Sequence, residues 1–533
     1  MNREATRSRA DTGRALTVGM GFVVALCTAI TGWAYRLPPI PSDQLYYFTF
    51  AEVFPAIPED LPEFYPRFLH QYLRYGLTIP LRAAQDLLGY SQAAYLLVPL
   101  GFGVLLATSV YVLGTLLANR TVGVAGAGFT IGNSLIFPEL TQPLPDLPAT
   151  ALFAAAVTVT VAVRQRRALV TATPRREALA LVAIGILLAW SYLAREYIVF
   201  VWLLIPLLLI RRVPLLRWLW IVLPGAALVA GEAIVNAWIF GDPLARFHAA
   251  SVHGRALPPI TMDYIGQSRP WYLTRLLVLL YEQPEGIVLL ACLGLVVVGA
   301  LVSRTVAMFA VWAALFYVPL VTLGGLTDPE HPMLRILKHR YWTPLIPAIT
   351  LGAVVAVWLA VRAVLRRIPF SARADGVAGV IVLALACVPV AMAHDVRMSD
   401  RSDPENLMYA ANGGTQFEEF RTWLADHGDG IRTIWADQRS VRVLKVFVNK
   451  PFGGPVWKGD VKTWYPPDDA RRSEIGVPQP GEHVLLYSAR SHGCNLCRVN
   501  IQRLLDRRPV RAPASWRVVF ATDDGLVELY EVG

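Results

Sequence analysis

Apolar stretches separated by short polar or charged breaks run through most of the chain. They lie near 15–34, 93–117, 121–137, 147–163, 178–194, 197–210, 218–240, 286–303, 305–323, 341–361 and 375–394. Each is roughly long enough to span a hydrocarbon core of ~30 Å, with some on the short side. The run 178–210 needs a decision, because a single helix of about 32 residues would reach ~48 Å, too long for one crossing. A turn at Ala194-Arg195-Glu196 instead keeps Arg164, Arg175, Arg211, Arg304 and Arg362 on the side of the N-terminus. The positive-inside bias therefore favours two short helices. The pattern predicts an α-helical polytopic membrane protein with about eleven transmembrane helices, its N-terminus cytoplasmic. Short basic connections fall on the cytoplasmic side, and the long ones, 35–91, 241–285 and 324–340, fall on the outer side.

After about residue 395 the pattern becomes that of a soluble domain. Residues 431–435, 441–448, 483–487 and 516–520 read as short strands, and Phe417 to Asp426 as an amphipathic helix. The expected organisation is a transmembrane domain over 1–394 and a small C-terminal α/β extracytoplasmic domain over 395–533.

Composition agrees with an integral membrane protein, whose expected place is the plasma (inner) membrane. Of 533 residues, 55% are apolar and 17% charged, against about a quarter charged in soluble proteins. The four arginines in the first 14 residues and the apolar run after them predict a retained anchor, not a cleaved leader. The net charge of +10 sits on arginines between apolar segments, as topology determinants do, which argues against nucleic acid as partner.

Candidate chemistry concentrates on the outer side. Asp43 follows the first apolar segment, and an acidic group so near a bilayer is costly unless it is used. A carboxylate there suits a general base toward an attacking hydroxyl. Tyr46, Arg67, His70, Arg74 and Arg82 share its loop, where arginines could fork onto a phosphate. For Arg74 and Arg82 an interfacial helix with snorkelling side chains is an equally good expectation. Asp146 stands at the start of a span, as a helix N-cap or as a second site carboxylate. Arg195-Glu196 lies in the tight turn, as an ion pair or as substrate contacts, with Glu232 and Asn236 as available partners. Arg335, Lys338, His339 and Arg340 put cations outside, against the topological bias. A carrier phosphate or anionic headgroups would account for them. His248 and its loop add polar groups without metal-ligand spacing. Cys494 and Cys497 form a Cys-x-x-Cys, read as a local disulfide, with zinc through His492 as the lesser alternative.

Ser42-Asp43-Gln44, Leu144-Pro145-Asp146, Tyr192-Leu-Ala-Arg195-Glu196, Gly241-Asp242-Pro243-Leu244 and His339-Arg340-Tyr341-Trp-Thr-Pro344 occur in that order. In this order and spacing they resemble the GT-C superfamily of integral-membrane glycosyltransferases. The likeness is to its polyprenyl-phosphate-sugar group, which includes protein O-mannosyltransferases and the lipid A aminoarabinose transferase, and within it to actinobacterial members. The resemblance covers about 15–394. It implies two helices in the first outer loop and inverting transfer of a sugar from a polyprenyl-phosphate donor to an acceptor hydroxyl on a glycan, glycolipid or protein. It implies Asp43 as base and Lys338, His339 and Arg340 on the carrier phosphate. Many members carry a second acid beside the first, and Gln44 departs from that, so a divalent metal is not supported here. The implied sugar is mannose or arabinose, for envelope assembly. A transporter or flippase of a lipid-linked saccharide is the alternative, although it should show internal repeats and mid-membrane charges, and no repeat is evident.

Overall fold

The computed structural model describes residues 3–36, 43–56, 70–255, 264–367, 374–393, 414–436, 438–450, 452, 456–463, 477–487 and 512–533. A helix lies in each of the eleven apolar stretches. Eight are long and apolar enough to cross a membrane: Ala15–Ala34, Gln92–Leu117, Asp146–Arg164, Pro174–Ala194, Leu215–Phe240, Arg304–Leu326, Ile346–Leu365 and Asp375–Met392. Arg120–Gly132, Glu196–Leu209 and Gly286–Val302 are shorter. The starts are written in the sequence: Ser91, Asn119, Thr173, Ser268 and Ser303 each accept from the backbone N–H three residues on, as N-caps do. The run 178–210 is broken where expected. The helix stops at Ala194, Arg195 is extended, and a 3-10 stretch Glu196–Leu203 leads into Leu204–Leu209.

Asp146–Arg164 is the centre of the bundle, 89% buried, whereas Ala15–Ala34 and Leu215–Phe240 are 11% buried and peripheral. The central helix packs against Gln92–Leu117 and Pro174–Ala194. Among the described residues between the first two spans, helices Asp43–Val53 and Tyr75–Leu88 pack on each other, and the second packs on Gln92–Leu117. Gly76 sets how closely the second approaches. A Cβ there would lie 2.3 Å from the backbone N of Ala194 and 2.7 Å from the carbonyl carbon of Leu193. The missing side chain lets Arg74 and Glu196 meet. Replacing Gly76 with Ala is expected to cost about 1–3 kcal/mol through overpacking, read as a lower midpoint of thermal unfolding in detergent. An unchanged midpoint would show that this contact is not tight.

The C-terminal domain has helix Gly414–His427 and strands β1 (Thr433–Ala436), β2 (Asp460–Thr463), β3 (His483–Tyr487), β4 (Arg517–Ala521) and β5 (Val527–Glu531). The sheet order is β2-β1-β3-β5-β4, with β1 parallel to β2 and β3, and β5 antiparallel to β3 and β4. One expected strand is not there: residues 441–448 are helical, within Gln438–Val443 and Leu444–Val448. Parallel β1 and β2 require a crossover connection. Leu444 and Val448, and Val443 and Phe447, are buried at helical i, i+4 spacing. The domain shares a hydrophobic core with the Asp43 helix, in which Leu45, Phe48 and Tyr95 join Phe420, Phe447 and Phe452.

Candidate active site

Asp43 is the first residue of Asp43–Val53 and Arg340 lies in the short helical turn His339–Trp342 ahead of a late span. Separated by 297 positions, they touch: Arg340 Nη1 is 3.3 Å from Asp43 Oδ2. Gln71 Nε2 donates to the other carboxylate oxygen at 3.0 Å. Burial pushes the Asp43 carboxyl up. The charge and hydrogen bond of Arg340, with the charges of Lys338 and Arg74 behind them, outweigh it and hold the group below its ordinary value. Asp43 is therefore ionised at neutral pH. Lys338 presents an exposed side chain. Desolvation and the neighbouring Arg340 lower its pKa. His339 is lowered to about 4 by burial and then by Lys338 and Arg340. It is neutral at pH 7, so it can offer a hydrogen bond but no charge.

The second carboxylate does not do what its position suggests. Asp146 makes no capping bond, and Pro145 takes the N-cap place. Fully buried, its Oδ1 accepts from the Tyr197 hydroxyl and lies 3.2 Å from Arg195 Nε. The Arg195 guanidinium sits 4.5 Å over the Tyr197 ring. Arg74 donates to Tyr47 Oη and pairs with Glu196 Oε1 at 3.3 Å. The tight turn thus sends Arg195 to one carboxylate and Glu196 to another cation, and the pairing runs across elements. Arg74 is 5% exposed, which overturns the snorkelling expectation. Arg82 does remain near the surface, paired with Asp86 at 2.9 Å. Glu232 and Asn236 do not partner the turn. Glu232 pairs with Arg246, and Asn236 Oδ1 accepts from Tyr75 Oη at 2.7 Å. Arg246 also donates to the carbonyls of Leu73, Tyr192 and Leu193 at 2.6, 2.9 and 3.1 Å.

Two residues that the sequence reading passed over belong to this cluster. Tyr47, not Tyr46, faces Arg74. It lies four residues after Asp43, on the same helix face, and that spacing is the signal that would have chosen it. Tyr46 is buried in the core shared with the C-terminal domain. Glu139 is also buried, with Thr343 Oγ1 donating to its Oε1 at 3.1 Å. Burial, and then the adjacent Asp146, push its carboxyl well above the ordinary value.

Of the remaining expected residues, His70 is half-buried beside Gln71 in sequence. His248 sits on the surface, its Nδ1 2.7 Å from Asp242 Oδ2. Arg67, Cys494 and Cys497 lie outside the described residues.

Removing the Asp146 carboxylate would strand the Arg195 charge in the protein interior. Asp146→Ala is expected to destabilise by about 3–5 kcal/mol, seen as lost thermal stability and yield. A variant as stable as the parent would mean that the pair does not hold the turn.

No protein-family profile and no curated protein matches the sequence. Among solved structures, the chain is similar to ArnT from Cupriavidus metallidurans in the apo state, with 13% identity over 98% of each chain and a TM-score of 0.53. The same ArnT bound to undecaprenyl phosphate matches at 13% identity over 97% of each chain, with a TM-score of 0.43. The Archaeoglobus fulgidus oligosaccharyltransferase in the apo form matches at 13% identity, over 80% of this chain and 63% of that one, with a TM-score of 0.45. The first likeness, spanning both chains almost end to end, shows that the chain shares the fold of that ArnT structure.

Proposed function

We propose that the protein is an inverting glycosyltransferase that moves a sugar from a polyprenyl-phosphate carrier to an acceptor hydroxyl at the outer face of the membrane. The observation that carries this reading is the contact between Asp43 and Arg340. It joins a proton acceptor to an anion-holding group in one cluster. The Asp43 carboxylate takes the proton of the acceptor hydroxyl as its oxygen attacks the anomeric carbon. The bond from that carbon to the phosphate oxygen breaks on the opposite side, and the carrier leaves as polyprenyl phosphate. Arg340 and Lys338 neutralise the departing anion. In the cluster Arg74, Arg195, Lys338 and Arg340 outnumber Asp43, Asp146 and Glu196, which favours an anionic ligand.

The donor set does not suit a divalent cation. Asp43 and Asp146 each face an arginine, and burial disfavours the charged form of Glu139. We therefore expect transfer to continue unchanged in EDTA. A rate abolished by chelation and restored by one divalent ion would reverse this point. Mannose or arabinose as the sugar, and a cell-envelope glycan, glycolipid or protein as the acceptor, follow from the sequence resemblance and belong to the proposal. The N-terminus would then face the cytoplasm and the C-terminal domain the exterior. The decisive experiment incubates purified protein with a panel of polyprenyl-phosphate sugars and candidate acceptors. Product from at least one donor, with inverted anomeric configuration, is expected, and no turnover of any donor would sink the reading.

A further inference from the structure

The helix that carries Asp43 is gripped on its far side by the C-terminal domain. At 3.6 residues per turn, Asp43 and Tyr47 form one stripe of Asp43–Val53, and Phe48 and Glu52 form another, ~140° around. The first stripe meets Arg340, Gln71 and Arg74. The second meets the other domain. Lys450 Nζ lies 2.6 Å from Glu52 Oε2 and 5.4 Å from the centre of the Tyr90 ring. Phe452 sits in a box of rings, 5.5 Å from Phe48, 5.5 Å from Tyr90 and 5.4 Å from Tyr95. Tyr95 in turn donates to Gln142, in the turn that leads to Asp146. Arg421, from helix Gly414–His427, donates to the Lys450 carbonyl at 3.3 Å and sits 5.2 Å over Phe447, tying the grip to the body of its domain.

We infer that Lys450 and Phe452 are positioning residues, by which the C-terminal domain holds the Asp43 helix at the rotation and depth that aim its carboxylate into the site. The contact is built for this. An edge-on aromatic insertion fixes depth, because the rings pack at set centroid distances. The ion pair at the last turn of the helix fixes rotation, because a swing about the helix axis would separate Glu52 from Lys450. The inference rests on the proposed transfer reaction, and its experiment separates the two.

Glu52→Lys, Lys450→Glu, the double exchange and Phe452→Ala are compared with the parent. A misplacement of about 1 Å at a reacting group can cost ~100-fold, so each charge reversal and Phe452→Ala should lower kcat by about tenfold or more. Undecaprenyl phosphate, used as the binding probe, should bind as in the parent, because the anion-holding residues are untouched. The double exchange should recover most of the rate, as a paired interaction requires, and Phe452→Leu should recover part of what Ala loses. Backbone amides of Asp43–Val53 should exchange faster in Phe452→Ala while those of Ile346–Leu365 do not change, a local loosening. Should Phe452→Ala fail to assemble, the charge exchange carries the test. Unchanged kcat in the reversals together with unchanged exchange in the Asp43 helix would overturn the inference. A loss that the double exchange fails to recover would overturn the pairing of Lys450 with Glu52. If the parent itself transfers no sugar, the reaction reading falls, and the exchange measurement still decides whether the grip exists.

Discussion

Asp43→Asn is expected to lower sugar transfer by ~10²–10⁴-fold, the range a positioned general base contributes. The amide keeps the shape of the side chain and the hydrogen bond to Gln71 but cannot take the acceptor's proton. Binding of undecaprenyl phosphate should survive or strengthen, because Arg340 loses the carboxylate it faces at 3.3 Å and becomes available to the phosphate. The two readouts must diverge. If binding and transfer fall together, Asp43 holds the site's shape and is not the base, and a mutant that transfers at the parental rate removes Asp43 from the chemistry.

Arg340→Ala is expected to have the second largest effect, and on both substrate affinity and pH dependence. A charged hydrogen bond of this kind contributes about 1.5–3 kcal/mol, so donor affinity should fall roughly 10- to 150-fold. Arg340 opposes burial in setting the Asp43 carboxyl and keeps it below its ordinary value. Without the guanidinium that carboxyl rises. Activity that needs it ionised is present above its pKa and lost as pH falls through it, so the acid limb of the rate profile should move to higher pH. Arg340→Lys should restore part of the affinity and most of the acid limb, with the bidentate fork gone. Lys338→Ala, at a more exposed position, should have the smaller effect on affinity. A pH profile that does not move in Arg340→Ala would show that the guanidinium does not set the state of Asp43.

The residues legible in the sequence are those whose placement is anomalous by a one-dimensional rule. Asp43 stands out as an acid against a bilayer, and Arg340 as one of several cations on the side where cations are scarce. The break at Arg195 follows from span length and charge parity together. What stayed hidden depends on which elements face each other. Arg74 looks the same in sequence whether it snorkels or sits at 5% exposure against Glu196, because its partner is 122 positions away. Glu232 goes to Arg246, nearer in sequence, and not to the tight turn. Asp146 reads as a cap from local sequence, and only the approach of Tyr197 and Arg195 gives it other partners. Tyr46 and Tyr47 are adjacent, and helical spacing from Asp43 is what distinguishes them. The misread strand at 441–448 shows that alternation of apolar residues does not outrank topology when parallel neighbours need a bridge.

Arg246 bears on how firmly the first loop is held to the bundle. Its guanidinium rivets together the carbonyls of Leu73, Tyr192 and Leu193 and is itself neutralised by Glu232. The seam between the first loop and the helix ending at Ala194 is thereby stitched shut by bonds to immobile backbone.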